Sequence, residues 1–189
     1  MKKHHTHSGA GFTLIEVLIA TAVVSLIMLV LYNVYTGYGV VFVIQQARVE
    51  VNGSAREVVD EFKHTALQAS QVVTSHTFSG EDYASGSGEV VFRLPAVDSS
   101  GVAIAGTYDY VAFFATSTSV YKVTDAGAGS ARGSGTRRLS DTLSTLAFTY
   151  NNATLSLATS TEIDIQTQKT VRGQVIQAHL HESARLRNI

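Results

Sequence analysis

The sequence predicts an α+β fold in which one long N-terminal α-helix packs on an antiparallel β-sheet, and three observations carry that expectation. From Phe12 to Ile44 the chain is apolar, with Glu16 as its only charged residue. From Ile44 to Val73 apolar residues recur every three or four positions, the spacing of one helix face. Beyond Val73 the texture changes to serine, threonine and glycine, interrupted by short runs that alternate in polarity.

The apolar run comes first. As a helix, Phe12–Ile44 would extend about 50 Å, against about 30 Å of membrane hydrocarbon. Phe12 to about Tyr32 suffices to cross, and Asn33–Ile44 would protrude or be buried against other proteins. Excess length of this kind suits the core of a helical polymer better than a simple anchor. A carboxylate inside such a run is costly and tends to be functional, which singles out Glu16. An ordinary secretory signal has a shorter apolar stretch with its small-residue cleavage site behind it. Here the small residues Gly9-Ala10-Gly11 precede the run, so cleavage there removes a leader, 1–11, and keeps the segment 12–44. The alternative is an uncleaved signal anchor. In either case Lys2 and Lys3 should hold the N-terminus in the cytoplasm and leave the C-terminal domain extracytoplasmic, a single-pass arrangement.

The helix is expected to continue over 45–75 as an amphipathic stretch. Ile44, Ala47, Val51, Ala55, Val58, Phe62, Ala66, Ala69 and Val73 form its stripe, with charged residues such as Arg48, Glu57 and Lys63 between them. One helix from Phe12 to about Val73 follows. Gly37 and Gly39 interrupt its first half, each costing about 1 kcal/mol relative to alanine, and could provide a flexible point.

The domain 76–189 reads as β. Glu89–Leu94, Tyr108–Phe114, Ser119–Thr124, Thr142–Tyr150, Ser160–Gln166 and Gly173–His181 are the expected strands, with Pro95 at a strand end. Gly80–Gly88 and Asp125–Thr136 are expected to be surface loops.

Composition excludes several function classes. A net charge of −1 and a pI near 6.6 give no signal for nucleic acid. With no cysteine there is no disulfide, zinc thiolate or cysteine nucleophile. No nucleophile–base pattern is readable, so no enzyme, metal or cofactor is expected. His179 and His181 alternate on one strand and, helped by Glu182, could hold a metal, but a solvated strand face is the better reading. The glycine-rich Asp125–Gly135 superficially resembles a phosphate-cradling loop, yet lacks the strand–turn–helix context and reads as a mobile loop. Asp98, Asp109, Asp125 and Asp141 are scattered without calcium-ligand spacing. His4, His5 and His7 would leave with the leader.

Gly11-Phe12-Thr13-Leu14-Ile15-Glu16 resembles the cleavage and methylation signature of type IV prepilins and of the pseudopilins of type II secretion. The resemblance implies a type IV pilin-like fold and cleavage by a prepilin peptidase between Gly11 and Phe12. It also implies N-methylation of Phe12, and Glu16 as the assembly residue that meets the α-amine of a neighbouring subunit. The partners it implies are that peptidase, an inner-membrane assembly platform, other pilin or pseudopilin subunits and membrane lipid. The C-terminal Leu186-Arg187-Asn188 resembles the close of minor pilins and of J-type minor pseudopilins, as do the last strands. The chain departs from many family members in having neither a proline in the helix nor a disulfide. The expected function is thus a structural, minor subunit of a type IV pilus or type II secretion-like pseudopilus. The alternative is a membrane-anchored binding or adhesin domain that does not polymerise, and an anchored enzyme comes last.

Overall fold

A computed structural model describes residues 11–187. The expected leader residues Lys2, Lys3, His4, His5, His7, Gly9 and Ala10, and the closing Asn188 and Ile189, lie outside those residues. The chain divides into two compact units, Met1–Val43 and Ile44–Ile189. The single helix α1, Leu14–Gln68, has its first turns in one unit and its last in the other. It passes through Gly37 and Gly39 without interruption.

Within the second unit, Ala47, Val51, Ala55, Val58, Phe62 and Ala66 are buried, as the 3.6-residue spacing of the stripe requires. The helix ends at Gln68, short of the expected Val73. Its last carbonyls are taken by the Ala69 N–H, which bonds Thr65 O and Ala66 O. The next backbone groups then turn to a strand: Ser70 N–H donates to Arg93 O and Val73 N–H to Val91 O. Ala69 remains in the core, so the stripe outlasts the helix by one residue.

Ten strands follow among the described residues, and every pair is antiparallel. They are β1 (Gln71–Val72), β2 (Ser75–Phe78), β3 (Glu81–Ala84), β4 (Val90–Val97), β5 (Ala103–Thr116), β6 (Ser119–Asp125), β7 (Gly135–Ser140), β8 (Leu143–Tyr150), β9 (Ser160–Val171) and β10 (Gln174–Arg185). They form a five-stranded sheet in the order β1-β4-β5-β6-β7, a three-stranded sheet β10-β9-β8 and the hairpin β2-β3. All six expected strands are present. The stretch expected as a loop at Gly80–Gly88 contains β3, joined to β2 through Ser79 and Gly80, both at positive φ, as the tightest hairpin turns require. Pro95 lies inside β4, opposite Tyr108, beyond the two residues of β4 that β1 pairs with, so its missing N–H breaks no ladder there.

Both larger sheets share one core with the helix. Phe62 packs against Phe92, Phe113 and Phe148 at ring-centroid distances of 5.7, 6.0 and 5.7 Å. β9 shows why the sheet takes this sequence: Thr161, Ile163, Ile165 and Thr167 point inward and are buried, while Glu162, Asp164 and Gln166 alternate with them on the outer face. Charged residues on the helix flanks then reach the strands, Lys63 to Glu182, Glu61 to Lys122 and Arg137, and Glu50 to Lys169.

Candidate functional site

The first turn of α1 gathers the residues singled out by the sequence. Gly11, Phe12 and Thr13 precede the helix, and Phe12 is 87% exposed. A Cβ built on Gly11 would meet no atom within 4 Å, so nothing among the described residues requires glycine at that position. A requirement for glycine there would have to come from a protein that reads the site.

Glu16 closes on its own helix end. Its Oε2 accepts the Thr13 N–H at 2.8 Å and the Thr13 hydroxyl at 2.9 Å, while Thr13 Oγ1 accepts the Glu16 N–H at 3.3 Å. This is a capping box, in which a hydroxyl residue and a glutamate three positions later satisfy each other's free backbone donors. The carboxylate also sits at the positive end of the helix. The Thr13-x-x-Glu16 spacing is legible in the sequence, although the family signature gives a role to Glu16 and none to Thr13. In the uncleaved chain the Phe12 nitrogen is an amide, so the amine that Glu16 is expected to meet does not yet exist.

The segment behind this turn is long and apolar enough to cross a membrane. Its few polar side chains turn back onto the helix. Thr21 donates to Val17 O, Ser25 to Thr21 O, Asn33 to Leu29 O and Thr36 to Tyr32 O, so each is satisfied without water. The large apolar side chains stand outward, among them Leu26, Met28 and Phe42, each more than half exposed within this chain.

The other candidates resolve differently. His179 and His181 do face one way, but toward carboxylates of β9: His179 Nε2 lies 3.0 Å from Asp164, and His181 lies 3.4 Å from Asp164 and 3.7 Å from Glu162. Glu182 cannot join them, because it projects from the opposite face to Lys63.

The glycine-rich loop is not the mobile segment expected. It wraps the carboxylate of Asp109, which is fully buried. Asp109 accepts the Gly127 N–H at 2.8 Å, the Ser130 hydroxyl at 2.9 Å and Arg132 Nη1 at 2.6 Å. Arg132 also donates to Pro95 O and Gln68 Oε1, both at 2.7 Å. A Cβ at Gly127 would lie 2.5 Å from Tyr108 O and 2.6 Å from Thr107 Cγ2, so only glycine fits this approach. The loop does cradle an anion, and the anion is the protein's own. Asp109 therefore does not belong with the scattered acids. The twenty-odd positions separating it from Arg132 hide the pair from any local pattern.

Residues 7–32 match the family model described as Prokaryotic N-terminal methylation motif. No curated protein matches the chain. The matched segment contains Gly11, Phe12, Thr13 and Glu16, and with the long apolar helix it fits the prepilin and pseudopilin family. The match covers this N-terminal segment alone, and the likeness is to proteins of the kind processed by prepilin peptidase.

Proposed function

We propose that the chain is a minor structural subunit of a type IV pilus or type II secretion-like pseudopilus. Prepilin peptidase cuts between Gly11 and Phe12, Phe12 is N-methylated, and the segment 12–44 first spans the inner membrane and then enters the filament core. The sheet domain faces outward. The observation that carries this reading is the methylation motif at the head of a helix whose first half leaves its large apolar side chains exposed among the described residues.

The capping box gives the assembly step a physical form. Before assembly, Thr13 satisfies the Glu16 carboxylate locally, which lowers the cost of placing it at the membrane boundary. Cleavage creates a charged amine at Phe12. A neighbour's amine offers Glu16 an opposite charge that the neutral Thr13 donors cannot, and in low dielectric that difference favours docking.

Mass spectrometry of the N-terminus tests the reading. The mature chain should begin with methylated Phe12, and Gly11→Val should leave the leader attached, since Cβ fits the chain itself but not a peptidase that demands glycine. Normal processing of Gly11→Val would sink the prepilin reading and favour a non-polymerising anchored domain.

A further inference from the structure

The apolar half of α1 is not uniform along its length. Tyr32, Tyr35 and Tyr38, three of the chain's eight tyrosines, stand one turn apart and are 66%, 80% and 72% exposed. Asn33 and Thr36 lie between them, so the stretch 32–38 is a polar and aromatic band. Apolar residues flank it on both sides, 26–31 before it and 40–43 after it.

The hydroxyl and amide groups of this half are of two kinds. Thr21, Ser25, Asn33 and Thr36 have short side chains that donate to a carbonyl one turn back, so lipid can surround them at little cost. A tyrosine cannot do this, because its rigid ring carries the hydroxyl away from the backbone. The hydroxyls of Tyr32, Tyr35 and Tyr38 bond nothing among the described residues. In hydrocarbon each would lose its bond to water and gain none. In water each would leave the apolar body of its ring uncovered. Both demands are met at the boundary between the two, where tyrosine collects in membrane-spanning helices.

Length places that boundary independently. From Thr13, the capped end of the helix, to Tyr32 is about 29 Å, against about 30 Å of hydrocarbon. Val41 lies about 14 Å beyond Tyr32, past a headgroup layer of about 5–8 Å.

We propose that Tyr32, Tyr35 and Tyr38 form a lipid-headgroup anchor that fixes the depth of the chain in the bilayer and holds residues 40–43 out of the hydrocarbon. This rests on the membrane-spanning reading proposed above. Without an anchor, an apolar run of about 50 Å relieves its mismatch with the bilayer by tilting, which would draw Val41 and Phe42 into lipid. With one, the helix stands nearer the bilayer normal, and those two exposed side chains stay available to protein neighbours.

The chain has no cysteine, so a single nitroxide label can be placed at Leu29→Cys or Val41→Cys in the full chain in phosphatidylcholine–phosphatidylglycerol nanodiscs. Collision with oxygen, which concentrates in lipid, and with a nickel chelate, which stays in water, reads the depth of each label. The label at 29 should meet mainly oxygen and the label at 41 mainly the chelate. Tyr32→Leu, Tyr35→Leu and Tyr38→Leu together should carry the label at 41 toward the bilayer centre by about 5 Å, one helical turn. Tryptophan at the same three positions keeps a ring with a polar tip and should leave that label in water. A wild-type label at 41 that already meets oxygen would overturn the anchor, and so would a leucine variant unchanged in depth. The comparison of positions 29 and 41 stands even if the leucine variant fails to insert. A label at 29 that meets only the chelate would overturn the membrane-spanning reading itself, and the anchor with it.

Discussion

The two parts of α1 carry similar apolar side chains and differ in what covers them. From Leu14 to Val43 the apolar side chains surround the helix and stand exposed within the chain; from Ile44 onward they narrow to a stripe, and the sheets cover it. A helix that is apolar on all sides must find its apolar surroundings outside itself, in lipid or in other helices, whereas a striped one can be completed by its own chain. The striped stretch completes the fold, and the stretch apolar on all sides is the one left for the proposed assembly.

That division can be attacked by substitution. The largest effect on folding is expected at Phe62, whose ring touches three others. Phe62→Ala should destabilise the second unit by about 3–5 kcal/mol in urea unfolding monitored by tyrosine fluorescence, and membrane insertion should be unaffected. A loss under 1 kcal/mol would mean that the stripe is not what completes the domain. Next comes Asp109→Ala, which strands the Arg132 guanidinium. Arg132 retains some exposure, so the cost should fall near the low end for a broken buried pair, about 3 kcal/mol, read from the same unfolding curves.

Tyr150 should show a smaller effect. Its hydroxyl is shared between Gly86 O at 2.9 Å and Glu89 O at 3.1 Å, and burial pushes its pKa up to about 12. Tyr150→Phe should cost about 1 kcal/mol at neutral pH. Above pH 10 the unfolded phenol loses its proton while the folded one keeps it until about 12, so wild-type stability should fall across that window as pH rises. The phenylalanine variant should fall less steeply. Parallel curves would show that Tyr150 is open to water.

Glu16→Val lies at the other extreme. It should change the stability of the second unit by less than about 0.5 kcal/mol, yet reduce the processed chain recovered in sheared filaments relative to the membrane pool. Equal recovery of wild type and variant would remove Glu16 from the docking step.

The helix and six strands were legible because burial imposes a period on the sequence, 3.6 residues for Ala47–Ala66 and two for Thr161–Thr167. The missed elements lack that period. β1 has two residues, and β7 runs Thr136-Arg137-Arg138 through positions where alternation has no apolar member. The β2–β3 hairpin left a local signal in Ser79-Gly80, a turn dipeptide, hidden in a stretch rich in the same residues. At the candidate site the signature marks Gly11, Phe12 and Glu16, and the Thr13 cap is carried by the three-residue spacing to Glu16. Nothing local could reveal that Asp109 and Arg132 meet, or that β10 ends a sheet, since both depend on which distant segments become neighbours.

The knot around Asp109 also bears on the order of folding. It joins the end of α1 at Gln68, β4 at Pro95, β5 at Asp109 and the loop at Arg132. Only β4 and β5 are neighbours along the chain, and each of the other closures carries an entropic cost before any bond repays it. Arg132 makes its full set of bonds only once β4 and β5 have paired and the helix end has docked. The knot therefore belongs to the far side of the folding barrier. Its loss should leave the refolding rate nearly unchanged and appear almost wholly as faster unfolding, which makes this carboxylate a determinant of how long the domain survives once made, rather than of how quickly it forms.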